Sequence, residues 1–274
     1  MRAGAHIHRP TGPLADFVDC IWIWQSASTS EPKERVIPSG TLAIVINLDV
    51  KRMRIYDRND PERFDSYPGI TIAGAHSRYF VIQTSPDSSV MGVHFKPGGA
   101  FPFLGVGAGE LEDAHTGLDA LWGSRAQRLH DRLLEARGHA ERIRLLETFL
   151  LESAVRALVR RPDVALALAA MDDPRLVSVA ELRARTGLSA KRLIALFRDE
   201  VGLGPKTFWR IRRFQAALRG IERARAPRGA ELAADLGYFD QAHMIRDFRT
   251  FAGLSPREYL LGGLDRPNHV PHRG

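Results

Sequence analysis

The side chains best equipped for chemistry crowd into one end of this sequence. Between residues 174 and 264 there are 17 Lys and Arg against 9 Asp and Glu, a local charge of +8 in a chain whose net charge is +7. The rest of the chain is therefore close to neutral, and the basic excess belongs to the C-terminal third. Most of these basic residues are arginine, whose planar guanidinium bonds phosphate or a guanine edge through two parallel donors. A basic stretch of this kind serves either a nucleic-acid partner or a solvated surface, and charge does not separate the two.

Other chemistry finds less support. His76, His94 and Glu110 suggest the metal site of a cupin, but such a site needs clustered ligands and His94 has no close neighbour of that type. His6 and His8 have a suitable spacing, yet they fall on an opening segment expected to be a loosely held arm. His94 reads instead as a strand histidine satisfied by hydrogen bonds. Cys20 is the only cysteine. It excludes an intrachain disulfide, fits a reducing cytoplasm and reads as a small buried hydrophobe. Gly98-Gly99 and the glycines at 105–109 lack the Lys and Ser/Thr of a phosphate loop, so Gly98-Gly99 reads as a turn. No metal, cofactor or catalytic residue is expected. Trp22 and Trp24 share one strand face by their period of two, and at least one is expected in the core.

The elements that must position the arginines are set by an internal repeat. VSVAELRARTGLSAKRLIALFRDEVGLGPKTF (177–208) aligns with ELAADLGYFDQAHMIRDFRTFAGLSPREY (231–259). At an offset of 51, Ser189, Leu193, Phe197, Gly202, Leu203 and Pro205 meet Asp240, Met244, Phe248, Gly253, Leu254 and Pro256. Each copy reads as a short helix ended by glycine, a polar N-cap at Ser189 or Asp240, and a second helix with one apolar face. That is a helix-turn-helix, whose second helix fits the major groove. The opposite faces carry Ala190, Lys191, Ile194, Ala195 and Arg198 in one copy, and Gln241, Ala242, Ile245, Arg246 and Arg249 in the other. A long helix from Pro205 to about residue 225 should join the copies. At about 1.5 Å per residue its 20 or so residues span roughly 30 Å, close to one turn of DNA.

The first part of the chain is β-rich. Segments 17–25, 35–37, 41–48, 53–56, 70–75, 79–84 and 90–95 are short, rich in Val, Ile and aromatics, and divided by turn residues. They predict a small antiparallel barrel or sandwich. A helical period follows over 118–134 and again over 143–155. Asp163 is expected to cap the next helix, just after a boundary at Arg160-Arg161-Pro162. No apolar run approaches the roughly 20 residues of a membrane span, and no secretory signal is apparent.

The segment GYFDQAHMIRDFRTFAGLSP (237–256), with Gly187-Leu188-Ser189, Leu193, Phe197 and Gly202-Leu203-Gly204-Pro205 in the first copy, closely resembles the AraC/XylS family of bacterial transcriptional regulators. The resemblance covers 90–100 residues. It implies that Lys191, Ile194 and Ala195, with Arg192 beside them, hold the base-reading places of the first unit, and Gln241, Ala242, His243 and Arg246 those of the second. Ile194 and Ala195 depart from a polar reader and can only touch thymine methyls. Arg246, within the first two turns of its helix, is the best single guanine reader. The N-terminal region, in 20–24, 35–38 and 94–100, resembles the sensor domain of one subgroup. The family often uses a cupin-like β domain there for effector binding or dimerisation.

The expected fold is a two-domain α+β chain. Residues 1–161 form an antiparallel β barrel or sandwich, cupin-like, with a helical hairpin. Residues 162–264 form an all-α DNA-binding domain with helix-turn-helix units at 178–201 and 231–252, and 265–274 are a tail. The expected function is sequence-specific regulation of transcription in the cytoplasm, not an enzyme activity. The partners are double-stranded DNA, a small-molecule effector, a second copy of the chain and RNA polymerase, and no membrane. The alternative is an effector-sensing interaction module whose weak DNA binding needs a partner. A DNA-alkylation-repair fusion is disfavoured, because its methyl-accepting site resembles a four-cysteine zinc cluster.

Overall fold

The computed structural model describes residues 4–25, 33–60, 62–86, 88–173, 176, 178–224, 229–262 and 268–272. The strands are β1 (Gly4–His8), β2 (Val18–Gln25), β3 (Lys33–Val36), β4 (Ala43–Asn47), β5 (Arg52–Tyr56), β6 (Phe64–Pro68), β7 (Ile70–Ala73), β8 (Phe80–Gln83), β9 (Ser89–Phe95), β10 (His115–Gly117) and β11 (His269–Pro271). They form two antiparallel sheets, ordered β1-β2-β9-β4-β7-β10 and β11-β3-β8-β5-β6. The expected barrel or sandwich is thus a sandwich.

Alternation decides which face is inside. In β4, Ile44 and Ile46 are buried while Ala43, Val45 and Asn47 are half-exposed. Ile44 lies opposite Ile72 on β7 and Val93 on β9, and Ile46 opposite Ile70 and Met91. In β2 the buried partners of Val93 and Met91 are Ile21 and Ile23. Trp22 and Trp24 therefore point to the other face, contrary to the expected core role. Trp22 stacks on the ring of His94, 5.6 Å away. Cys20 is buried, and burial pushes its thiol up to about 11, which leaves it a poor nucleophile.

Four strands were not expected. β1 falls on the supposed loose arm and pairs with β2, His6 opposite Ile23. β6 and β10 pair with β5 and β7. β11, on the supposed tail, pairs with β3, His269 opposite Val36.

The helices are α1 (Leu118–Trp122), α2 (Ser124–Glu135), α3 (His139–Ser153), α4 (Pro162–Met171), α5 (Val179–Thr186), α6 (Ala190–Leu196), α7 (Pro205–Ala224), α8 (Gly229–Asp235), α9 (Gln241–Ala252) and α10 (Pro256–Leu261). The helical stretch expected over 118–134 breaks at Gly123, between α1 and α2. Asp163 does not cap α4: Arg161 holds that position without a side-chain cap, and Asp163 lies in the first turn. The end expected for α7 near residue 225 lies outside the described residues.

The boundary expected at 160–162 is tied down. Arg160 donates to the carbonyls of Asp16 and Pro97 (3.0 and 2.8 Å), and Arg161 pairs with Glu200 and Asp199 (3.1 and 3.5 Å). Buried residues of the sandwich and of the C-terminal helices form one continuous hydrophobic core.

Candidate nucleic-acid interface

Each helix-turn-helix is fixed by its caps. Ser178 caps α5 by accepting from the Glu181 amide (3.1 Å), and Ser189 caps α6 by accepting from Arg192 (3.2 Å). In the second unit Asp240 caps α9 by accepting from His243 (2.6 Å). The turns pass through Gly187 and Gly237, at φ 69° and 67°, where a side chain would be strained.

In α6 the inner face is Leu193 and Leu196, followed by Phe197 and Val201 in a short π-turn over Phe197–Val201. Lys191, Arg192, Ile194 and Ala195 are all exposed, side by side. Arg192 also reaches Asp163 on α4 (3.3 Å). In α9 the inner face is Met244, Asp247, Phe248, Phe251 and Ala252. Gln241, Ala242 and Arg246 are exposed. The Gln241 amide lies against Gly229 at the start of α8. Arg246 has its side chain 67% exposed, with Asp240 4.0 Å away.

The eighth residue implied by the resemblance sits differently. His243 is half-buried, its Nε2 lies 3.3 Å from the Arg213 guanidinium, and its ring meets Tyr238 edge-on. His243 belongs to a support network beneath the exposed face of α9. At its centre is Asp247, fully buried, which accepts from Arg210 (2.6 Å) and Arg213 (3.4 Å) on α7. Arg213 also donates to the Gly237 carbonyl (3.1 Å) and lies 3.9 Å over the Tyr238 ring. One arginine thereby holds the turn, α9 and α7 in register. Burial and the neighbouring Asp247 hold the Tyr238 hydroxyl well above its usual range, so it stays protonated.

Sequence reasoning missed this network. The signal was present: at spacing i, i+3, i+4 and i+7, Asp247 falls on the apolar stripe of Met244, Phe248 and Phe251. A carboxylate in a core stripe requires a buried cationic partner.

The residues offered by the metal reading do not meet. His76 faces Asp113 (3.7 Å), His94 stacks on Trp22, and Glu110 accepts from the Gly107 amide. Among the described residues, no three His, Cys, Asp or Glu gather as a metal site, and no helix is long and apolar enough to cross a membrane.

Two capped helix-turn-helix units with exposed second helices, joined by a 20-residue spacer helix, define a DNA-binding regulator of transcription. Residues 182–261 match the family model described as a helix-turn-helix domain, and residues 6–117 match a domain of unknown function (DUF6597). The C-terminal domain is a helix-turn-helix domain of the AraC type. No curated protein is a significant match to the chain. Solved structures similar to it include ToxT from Vibrio cholerae, at 10% identity over 88% of this chain and 97% of that one, TM-score 0.47. Another is unsaturated fatty acid bound wild-type ToxT from Vibrio cholerae strain SCE256, at 9% over 88% and 94%, TM-score 0.46. A third is the xylose-binding transcription activator XylR, at 18% over 54% and 40%, TM-score 0.32.

Proposed function

We propose that this chain binds double-stranded DNA sequence-specifically through both units, and that a small molecule held by the N-terminal domain alters that binding. The observation that carries the reading is the exposure of matched faces on α6 and α9, with α7 between them. In α9, Gln241, Ala242 and Arg246 meet base edges, while His243 steadies the helix through Arg213. In α6, Lys191 and Arg192 meet phosphate, and Ile194 and Ala195 touch thymine methyls. The chain acts in the cytoplasm, residues 162–264 form the DNA-binding part, and no catalytic step is involved. A second copy of the chain and RNA polymerase are the protein partners this function calls for.

Ile194, 45% exposed, also favours a second reading in which the first unit docks a protein and DNA binding needs that partner. Fluorescence anisotropy of the purified full chain on random-sequence duplexes separates the two. The proposed function gives binding by the chain alone, with log affinity falling against log salt at about −0.9 per phosphate neutralised. A flat salt response, or no binding at low salt, contradicts it.

A further inference from the structure

Outside the DNA-binding face, a cleft of about 490 Å³ opens at one end of the β11-β3-β8-β5-β6 sheet. Its floor is made by His76, Phe80 and His115. The His76 ring lies 4.4 Å from Phe80 and 4.7 Å from His115, and Phe80 meets His115 edge-on at 4.5 Å. His76 is only 7% exposed, and the Nε2 atoms of both histidines are buried without a hydrogen-bond partner among the described residues.

The charges at the rim are uneven in what they are free to do. Asp113 is occupied by the amide and hydroxyl of Ser77 (2.6 and 2.5 Å), and Asp57 accepts from the Asn59 amide (2.7 Å). Arg58 and Arg78 line the same cleft and have no partner among the described residues. The free groups are therefore two guanidiniums, beside the rings of Tyr56, Tyr79 and Phe80. Burial pushes His76 down to about 4, against the pull of Asp113. Burial and the neighbouring His76 push His115 down to about 3. Both rings are neutral at pH 7, and each Nε2 can donate or accept.

The cleft also touches the reading helix. Tyr79 forms one wall, and its ring packs on Gly253, the residue that ends α9; a Cβ there would come 2.4 Å from Tyr79 Cε1. Arg35 donates to the Gly253 carbonyl (3.2 Å) and lies over the Tyr79 ring (5.0 Å). We propose that this cleft is the effector site, that it takes a small organic carboxylate with a planar unsaturated body, and that Tyr79 and Arg35 carry its occupancy to the end of α9. The carboxylate pairs with Arg58 and Arg78, and the planar body lies against Phe80 and the tyrosines, over the His76 and His115 rings. This rests on the effector-responsive reading above and names its site, ligand class and route.

The test uses the full chain in two arms. In the first, without DNA, histidine side-chain NMR follows addition of millimolar cinnamate, nicotinate or succinate. Cinnamate or nicotinate should shift His76 and His115 resonances while succinate does not, and affinity should fall about tenfold or more in the Arg58→Gln/Arg78→Gln double variant. If no planar acid shifts them, if succinate binds equally well, or if the double variant binds unchanged, the site assignment is overturned. In the second arm, the acid that binds should change DNA affinity, and by linkage DNA should change affinity for the acid by the same factor. Arg35→Gln should keep acid binding and lose that effect; an effect that persists overturns the route through Arg35. The first arm contains no DNA, and DNA binding without acid is measured separately. Failure of the site and failure of the DNA-binding reading are thus distinguishable.

Discussion

The two helix-turn-helix units come from one repeat, yet they are mounted in different ways. The first is wedged into the sandwich domain. Gly202, just past its second helix, lies against Ala75, Leu42 and the Ala108 carbonyl, Gly109 approaches the Arg198 carbonyl, and Arg161 binds Asp199 and Glu200. The second hangs from α7 by a buried ionic network and touches the sandwich only lightly, at Tyr79 and Arg35. Their outer faces differ in step with this: Ile194 and Ala195 on the fixed unit, Gln241 and Arg246 on the suspended one. On the proposed function the repeat divides its labour: the first copy anchors the module and touches DNA weakly, and the second carries most of the base reading.

The largest expected effect strikes the suspended unit. Asp247→Ala leaves Arg210 and Arg213 without their common anion in a buried setting, and should lower stability by about 3–5 kcal/mol. Chemical denaturation of the full chain measures it, and DNA binding should go with it. Phe248→Ala, in the same face, should cost about the same through the cavity it leaves. If Asp247→Ala is as mild as an exposed-pair change beside the first unit, such as Asp163→Ala, which frees Arg192 on α6, the contrast in mounting is wrong.

Next in size is the strand that ties the C-terminus to the sandwich. Val270 is buried, and Gln215 on α7 donates both to the Pro38 carbonyl and to Asn268 beside β11 (2.8 Å each). Ending the chain after Gly262 removes this clasp and should lower stability by about 2 kcal/mol, the scale of one buried aliphatic side chain with its strand pairing. An unchanged melting curve would mean that α7 is held without it.

Arg246→Ala and Lys191→Ala set the two reading faces against each other. Arg246→Ala should lower specific DNA affinity by about 1–3 kcal/mol and relax preference at one base pair. Lys191→Ala should weaken all sequences alike and reduce the salt slope by about one. The reverse pattern would exchange the roles of the two units.

The smallest effect is on pH. His76 and His115 are held neutral in the fold, at about 4 and about 3, against about 6.5 in an unfolded chain. The unfolded state therefore takes up protons first as pH falls. Their contribution is fully present above about pH 6.5 and is lost towards pH 4 and below. Between pH 7 and pH 6 the loss is about 0.7 kcal/mol per histidine. Denaturation midpoints in His76→Gln should fall less steeply over that window than in the parent chain.

Much of this was legible in the sequence because it is written locally. Ser189, Asp240 and the turn glycines mark both units, and the alternation of Ile44 and Ile46 marks a strand. The three-residue β10 and β11 carry no periodicity, and β1 and β6 are short and mixed in polarity, so only their partners define them. The pairing of Trp22 and Trp24 on one face was readable, but which face was inside depended on Ile21 and Ile23 meeting β9. Charge was the least faithful guide. Arg210 and Arg213 belong to the basic excess that signals DNA, yet both are engaged with the buried Asp247.

The division of labour is tested most directly by in-vitro selection of duplex DNA with the full chain and with Arg246→Ala, followed by sequencing. The expected result is a motif with one sharply defined half, in which the variant loses preference at a single base pair, and a second half of weak, thymine-rich preference. A motif that Arg246→Ala leaves intact, or the recovery of no motif at all, would contradict it.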